Sequence, residues 1–224
     1  MMLIKLDKQF PIDEIIEQVS KLDFEKRLAI NETSGNLFSG PYTVKQEFKN
    51  TPLGNVLESL GNVGEARLLK LYGGETYTAH TDPDDRYHLA ITTNPYSYLF
   101  DLENEKMFHI PVDGFVWTMD TGVKHIAANF GGAPRIHLNI RHLLPEFKSP
   151  GYKVTFNGVD NHDWKQQLHI DILGFINYEI KKGNITGIAK INEREMLINC
   201  SQQVLDYITE VNGNKGFQVI VTRV

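Results

Sequence analysis

The chain has 224 residues, 41% of them hydrophobic and 23% charged, with a net charge of -5. That length accommodates one large domain, or a medium and a small one, and the composition is that of a folded globular protein rather than a disordered chain. The acidic balance argues against bulk nucleic-acid binding, and a single cysteine, Cys200, excludes an internal disulfide or a multi-cysteine metal site.

Residues 1–8 hold too few apolar side chains for a signal peptide, and no stretch reaches the roughly 18 apolar residues of a membrane helix. With the lone cysteine, this reads as a cytoplasmic protein without membrane contact. Residues 11–22 predict a helix: Pro11 suits its start, Asp13 and Glu14 its first turn, and Ile12, Ile15, Ile16 and Val19 share one face. Residues 51–60 predict a second, with Thr51 as cap and Pro52 at the first position. Short strand candidates lie between them at 28–30 and 42–48.

From residue 65 to 144 the pattern becomes β-rich. Strands are predicted at 66–72, 76–80, 87–93, 97–102, 106–110, 115–119, 125–129 and 135–143, separated by breaks such as Gly73-Gly74, Asn94-Pro95 and Gly131-Gly132. About eight strands at this spacing predict a mainly β sandwich or barrel. Residues 145–151 read as a linker. Beyond it come strand 152–157, helix 163–182, strands 185–191 and 195–200, helix 202–211 and strand 217–223. In the first of these helices Trp164, Leu168, Ile172, Phe175 and Ile176 form an apolar face, and Gly183 follows as a stop. The order βαββαβ is that of a ferredoxin-like split βαβ unit. This divides the chain into 1–148 and 149–224, unless the later elements simply wrap the first domain.

The chemistry concentrates in His80-Thr81-Asp82, His125 and Arg135. On a strand, residues i and i+2 point to one side, so His80 and Asp82 reach one ion. Two histidines and a carboxylate occupy one face of iron(II) and leave the other open. His125 lies 45 residues beyond His80, and Arg135 ten residues further. An arginine there grips a carboxylate in fork geometry. The set points to iron, oxygen and an acidic cosubstrate. H-x-D alone recurs in many chains, and an Asp before Pro is often just a turn residue. His88, His109, His137 and His142 compete for the second histidine position, with His137 the strongest rival.

Residues 135–141 alternate strictly: Ile136, Leu138 and Ile140 on one face, Arg135, His137, Asn139 and Arg141 on the other. That polar face looks at water in an ordinary sandwich and inward in a barrel holding a polar ligand. Arg141 would emerge near the cavity mouth and touch substrate. Arg86 and His88 share a face of the neighbouring strand; Arg86 holds an acidic ligand or else pairs with Asp84 or Asp85. Tyr72, Tyr77 and Trp117 are aromatic pocket candidates, Tyr72 for the cosubstrate and Trp117 for the substrate, with core packing the ordinary alternative.

These residues resemble the Fe(II)- and 2-oxoglutarate-dependent oxygenases. The segments HTDPDDRYHLAITTN (80–94) and DTGVKHIAANFGGAPRIHLNIRH (120–142) look like the aspartyl/asparaginyl β-hydroxylase branch, which is similar to bacterial free-proline hydroxylases. The likeness covers roughly residues 65–144. It implies a double-stranded β-helix (a cupin-like jelly roll) with iron on His80, Asp82 and His125, Arg135 on the C5 carboxylate of 2-oxoglutarate, and His88 assisting. It further implies hydroxylation of an amino acid or of a residue in a peptide, with consumption of O2 and release of succinate and CO2. Asp82 departs from the animal aspartyl hydroxylases, which lack a carboxylate ligand, and argues against a halogenase. The C-terminal unit would offer a surface for a protein partner; its eight basic and eight acidic residues over 150–224 show no nucleic-acid footprint. The competing reading is a cupin-like protein that binds metal and a small acid without redox turnover.

Overall fold

A computed structural model describes residues 2–157, 163–192, 194–213 and 218–224, with side chains of 163–171, 212 and 213 outside the description. Trp164 and Leu168 therefore lie outside the described side chains.

The protein is mainly β, with antiparallel sheets. The N-terminal part begins with β1 (Leu3–Gln9), α1 (Ile12–Ser20), β2 (Arg27–Ala29), β3 (Asn31–Asn36), β4 (Gly40–Val44), a 3-10 turn at Gln46–Phe48 and α2 (Pro52–Leu60). There follow β5 (Val63–Leu71), β6 (Arg86–Thr92), β7 (Ser97–Asp101), β8 (Lys106–Phe108), β9 (Phe115–Met119), β10 (His125–Asn129) and β11 (Arg135–His142). Six strands form one sheet in the order β1-β9-β6-β11-β5-β2, and three form another in the order β10-β7-β8. A two-stranded ribbon, β3-β4, stands beside them.

The alternation of β11 divides the environments on the two sides of the large sheet. Leu138 and Ile140, with Ala66 and Leu68 of β5, pack under Ile15 and Val19 of α1 and Leu53, Val56 and Leu57 of α2. Thr51 caps α2, its hydroxyl accepting from the Gly54 N–H at 3.3 Å. The opposite face meets the small sheet: Leu3, Leu71, Ala90 and Met119 bury against Leu99 and Ala127. Polar residues of β5, β6 and β11 on that inner side are left around a cavity.

One expectation is corrected, and one element is new. The segment 76–80 is not a regular strand. It meets β10 through isolated bridges, Thr76 with Ala128 and His80 with His125, and through the Tyr77 N–H, which donates to the Ala127 carbonyl at 2.9 Å. Glycines, threonines and a Pro-containing turn give it few partners for a continuous ladder. Conversely, β1 carries no apolar alternation strong enough to announce it; five of its seven residues are charged or amide-bearing or exposed, and it lies at the edge beside β9.

The C-terminal part contains β12 (Tyr152–Asn157), α3 (Asp163–Lys181), β13 (Ile185–Asn192), β14 (Glu195–Cys200), α4 (Gln202–Gly213) and β15 (Gln218–Arg223). Its sheet runs β13-β14-β12-β15, every neighbour antiparallel. Ile172, Leu173 and Ile176 of α3 and Val204, Leu205 and Ile208 of α4 pack onto Val154, Phe156, Ile188 and Ile198. Phe38 and Leu144 from the N-terminal part join the same core, so the two parts share apolar contact. Among the described residues, no helix is long and apolar enough to cross a membrane.

Candidate metal centre

His80 and His125 exchange both backbone hydrogen bonds, His80 N–H to the His125 carbonyl at 3.1 Å and the reverse at 2.9 Å. Directly opposed residues of antiparallel strands project to the same face. This one bridge brings together two residues far apart in sequence and sets their rings tilted against each other with centroids 4.4 Å apart. Asp82, two residues on, turns to the same side, its N–H donating to the Thr121 carbonyl at 2.8 Å. Asp82 Oδ2 lies 3.7 Å from His80 Nε2 and 3.9 Å from His125 Nε2. Donor atoms bound to one ion at about 2.1 Å lie between about 3.0 Å and 4.2 Å apart, according to the angle between them. All three ligand atoms fall within 4.8 Å of one another.

The outer nitrogens of both rings are engaged in the same way. His80 Nδ1 lies 2.7 Å from the Thr78 carbonyl, and His125 Nδ1 lies 2.9 Å from the Val123 carbonyl. A carbonyl can only accept, so each Nδ1 carries a proton and each Nε2 is the ring nitrogen turned towards Asp82. Burial and the neighbouring His80 hold the His125 pKa down to about 4, keeping it neutral at physiological pH. Burial alone would raise the Asp82 carboxyl, but Arg86, His80 and His125 together outweigh it and hold it below the ordinary carboxylate range. A carboxylate and two imidazoles whose Nε2 atoms converge suit a divalent metal ion, and the set fits iron(II).

Arg86 is buried and its Nη2 lies 3.0 Å from Asp82 Oδ1, the oxygen facing away from the histidines. It also approaches Asp84 at 3.5 Å. Asp84 is in turn gripped by Arg141, whose Nε and Nη2 each donate at 2.7 Å to separate carboxylate oxygens. Arg86 thus pairs first with Asp82 and at longer range with the expected Asp84, and it also lines the cavity, its Nη1 buried without a hydrogen-bond partner. Arg141 is corrected more fully: spent on Asp84, it does not line the cavity.

The metal cluster opens into a cavity of about 370 Å³, walled also by Arg67, Tyr77, Arg86, His88, Arg135 and Asn139. Arg135 is 6% exposed and, among the described residues, has no carboxylate partner. Its guanidinium lies against His137, Nε 3.0 Å from Nε2 and Nη2 2.9 Å from Nδ1. A neutral imidazole has one lone pair, so only one of these contacts is a hydrogen bond. Burial pushes Arg135 down to about 10, still charged at neutral pH. Burial, with Arg135 beside them, also pushes His88 and His137 well below the ordinary histidine range. Asn139 Nδ2 donates to His88 Nε2 at 3.2 Å, which leaves His88 Nδ1 as a buried donor without a partner. His137 thus serves Arg135 and stands outside the metal cluster.

Two further sequence candidates lie elsewhere. The Tyr72 hydroxyl donates to the Glu25 carbonyl at 3.1 Å, away from the cavity, because Tyr72 follows the last residue of β5. Trp117 packs against the apolar core between the sheets and does not line the cavity. The structure adds Arg67 and, exposed at the rim, Arg27. Arg67 Nε is buried without a partner, although Glu65 lies 3.2 Å from its Nη1. The signal was present in 65–71, where Glu65 and Arg67 alternate with the core residues Ala66 and Leu68.

No protein-family model matches the sequence, and no curated protein matches it. Among solved structures, one similar chain is an oxidoreductase of the 2OG-Fe(II) oxygenase family from Burkholderia pseudomallei. It is 8% identical, the match covers 62% of this chain and 82% of that one, and the TM-score is 0.46. The assignment of the centre rests on its own geometry.

Proposed function

We propose that the protein is an Fe(II)- and 2-oxoglutarate-dependent dioxygenase that hydroxylates an amino acid or an amino-acid residue in a peptide. In this reading the N-terminal sandwich is a double-stranded β-helix and the C-terminal unit is ferredoxin-like. One observation carries the proposal: a facial His-Asp-His set shares a cavity with a buried arginine that lacks an acidic partner. A buried unpaired cation is costly unless a ligand supplies its counter-charge.

Iron held by His80, Asp82 and His125 would supply oxygen activation coupled to decarboxylation of 2-oxoglutarate. The chain's own residues set the geometry. Arg135 binds the far carboxylate in fork geometry and thereby orients the cosubstrate. His88 Nδ1–H donates to a cosubstrate oxygen, since its Nε2 is already occupied by Asn139. Arg86 fixes the outer oxygen of Asp82, leaving Oδ2 for the ion. Arg67, half-buried and paired with Glu65, offers a second cation at the cavity wall for an acidic group on the substrate.

The test is succinate production over a panel of free amino acids and then peptides, together with anaerobic Fe(II) plus 2-oxoglutarate absorbance. A charge-transfer band that is lost in Arg135→Ala is expected. Iron binding that does not respond to 2-oxoglutarate would refute the oxygenase and leave a metal- and acid-binding protein.

A further inference from the structure

Helix α3 belongs to the C-terminal unit, yet one of its faces lies on the back of the metal loop. Gly174, Asn177 and Lys181 are spaced i, i+3 and i+7 and so form one stripe. At Gly174 a Cβ would stand 2.6 Å from the Gly122 carbonyl oxygen and 3.2 Å from Thr81 Cγ2. At Gly122 a Cβ would stand 2.7 Å from Asn177 Oδ1. A glycine inside a helix is unfavourable in itself, and here it permits a backbone approach that no other residue allows.

One turn on, the buried Asn177 donates through Nδ2 to Asp85 Oδ1 at 3.1 Å. A further turn on, the Lys181 ammonium reaches Asp85 at 2.9 Å and Asp120 at 2.8 Å. Asp85 lies in the turn after the ligand Asp82, and Asp120 lies in the turn whose Thr121 carbonyl receives the Asp82 N–H. Thr121 also donates through Oγ1 to the Asp84 carbonyl at 2.6 Å. Lys181 therefore ties together the two loops between which Asp82 is held.

We propose that the α3 stripe Gly174–Asn177–Lys181 is a brace for the metal loop, so that the C-terminal unit positions the Asp82 ligand. This rests on the reading of His80, Asp82 and His125 as a metal centre. None of the three α3 residues touches the ligands; they act through Asp85, Asp120 and the backbone of Gly122.

The test compares the full-length protein with Asn177→Ala, Lys181→Met and Lys181→Arg, and with Val204→Ala as a control. Val204 is buried in the C-terminal core on α4. Two quantities are measured: Mn(II) affinity from the free-ion paramagnetic resonance signal, and hydrogen exchange of the Asp82 amide. Outer-shell partners of metal ligands change affinity by roughly 10–100-fold. The expectation is about tenfold weaker Mn(II) binding and about tenfold faster Asp82 amide exchange in Asn177→Ala and Lys181→Met. Lys181→Arg should recover most of both. Val204→Ala should lose thermal stability with neither change. Unchanged affinity in the two α3 variants, or an equal loss in Val204→Ala, would overturn the brace. If the unaltered protein takes up no Mn(II), the metal-centre reading fails, and amide exchange alone then decides whether α3 braces the loop.

Discussion

Replacing Arg135 by methionine should move stability and cosubstrate binding in opposite directions. Burial pushes Arg135 down to about 10, against an ordinary value of about 12.5 or above. At about 1.4 kcal/mol per unit, the charged form carries a folded-state penalty of roughly 3 kcal/mol. At pH 7, below both values, arginine is charged in folded and unfolded chains alike, so the whole penalty is present. Methionine removes it and loses about 1 kcal/mol of hydrogen bonding to His137. The net gain is about 2 kcal/mol in the ligand-free protein, which raises the melting temperature by roughly 4–8 °C for a chain of this size. Binding of 2-oxoglutarate should suffer, because its distal carboxylate would be buried without a partner at a cost of about 3–5 kcal/mol. That is roughly a 150- to 4000-fold weaker affinity. Scanning calorimetry of the ligand-free protein and anaerobic titration of the metal-loaded protein measure the two effects. A variant that melts lower, or binds 2-oxoglutarate within threefold of the parent, would refute the assignment of Arg135 as an unpaired cation awaiting a carboxylate.

Asp82→Ala should abolish substrate-coupled succinate formation; a protein that kept it would not use this triad. Asp84→Ala leaves Arg141 buried without its fork partner and should destabilise the fold by about 3–5 kcal/mol in denaturant titration; a loss under 1 kcal/mol would show that the pair is not structural. Burial lowers the pKa of His137 and His142. Above about pH 6.5 both are neutral folded or unfolded, and below it the unfolded chain gains protons that the folded protein refuses. Stability should therefore decline from pH 6.5 towards 5, more shallowly in His142→Gln; an identical slope would exclude that histidine. Tyr72→Phe should leave 2-oxoglutarate affinity unchanged, since its hydroxyl faces Glu25; a tenfold loss would return Tyr72 to the site.

Local pattern carried much of this into the sequence. The alternation of 135–141 foretells both the core face of Ile136, Leu138 and Ile140 and the cavity face of Arg135, His137 and Asn139. The i, i+2 spacing of His80 and Asp82 foretells their convergence. What resisted was information held between elements. Arg141 reads as a cavity residue until strand register sets it beside Asp84, 57 positions away. Arg67 sits on the polar face of β5, a strand that its apolar residues alone announce. The α3 stripe was masked by the apolar face of the same helix, which announces packing and says nothing of the opposite side. The irregular course of 76–80 shows the reverse case, a segment whose place is set by a few bonds to β10 rather than by its own propensity.

The mutual bridge between His80 and His125 makes the centre depend on register across two strands rather than on the total length of chain between its ligands. Residues inserted in the β7–β8 turn at 102–105 would leave both histidines facing each other, because they are joined across strands and not along them. A single residue deleted between Thr121 and His125 would instead turn the imidazole out of the cavity, since successive strand residues face opposite ways. Length can therefore change at the tip of that hairpin, while Leu102 and Glu103, both bonded to Lys124, and the few positions beside the bridge keep count to the residue.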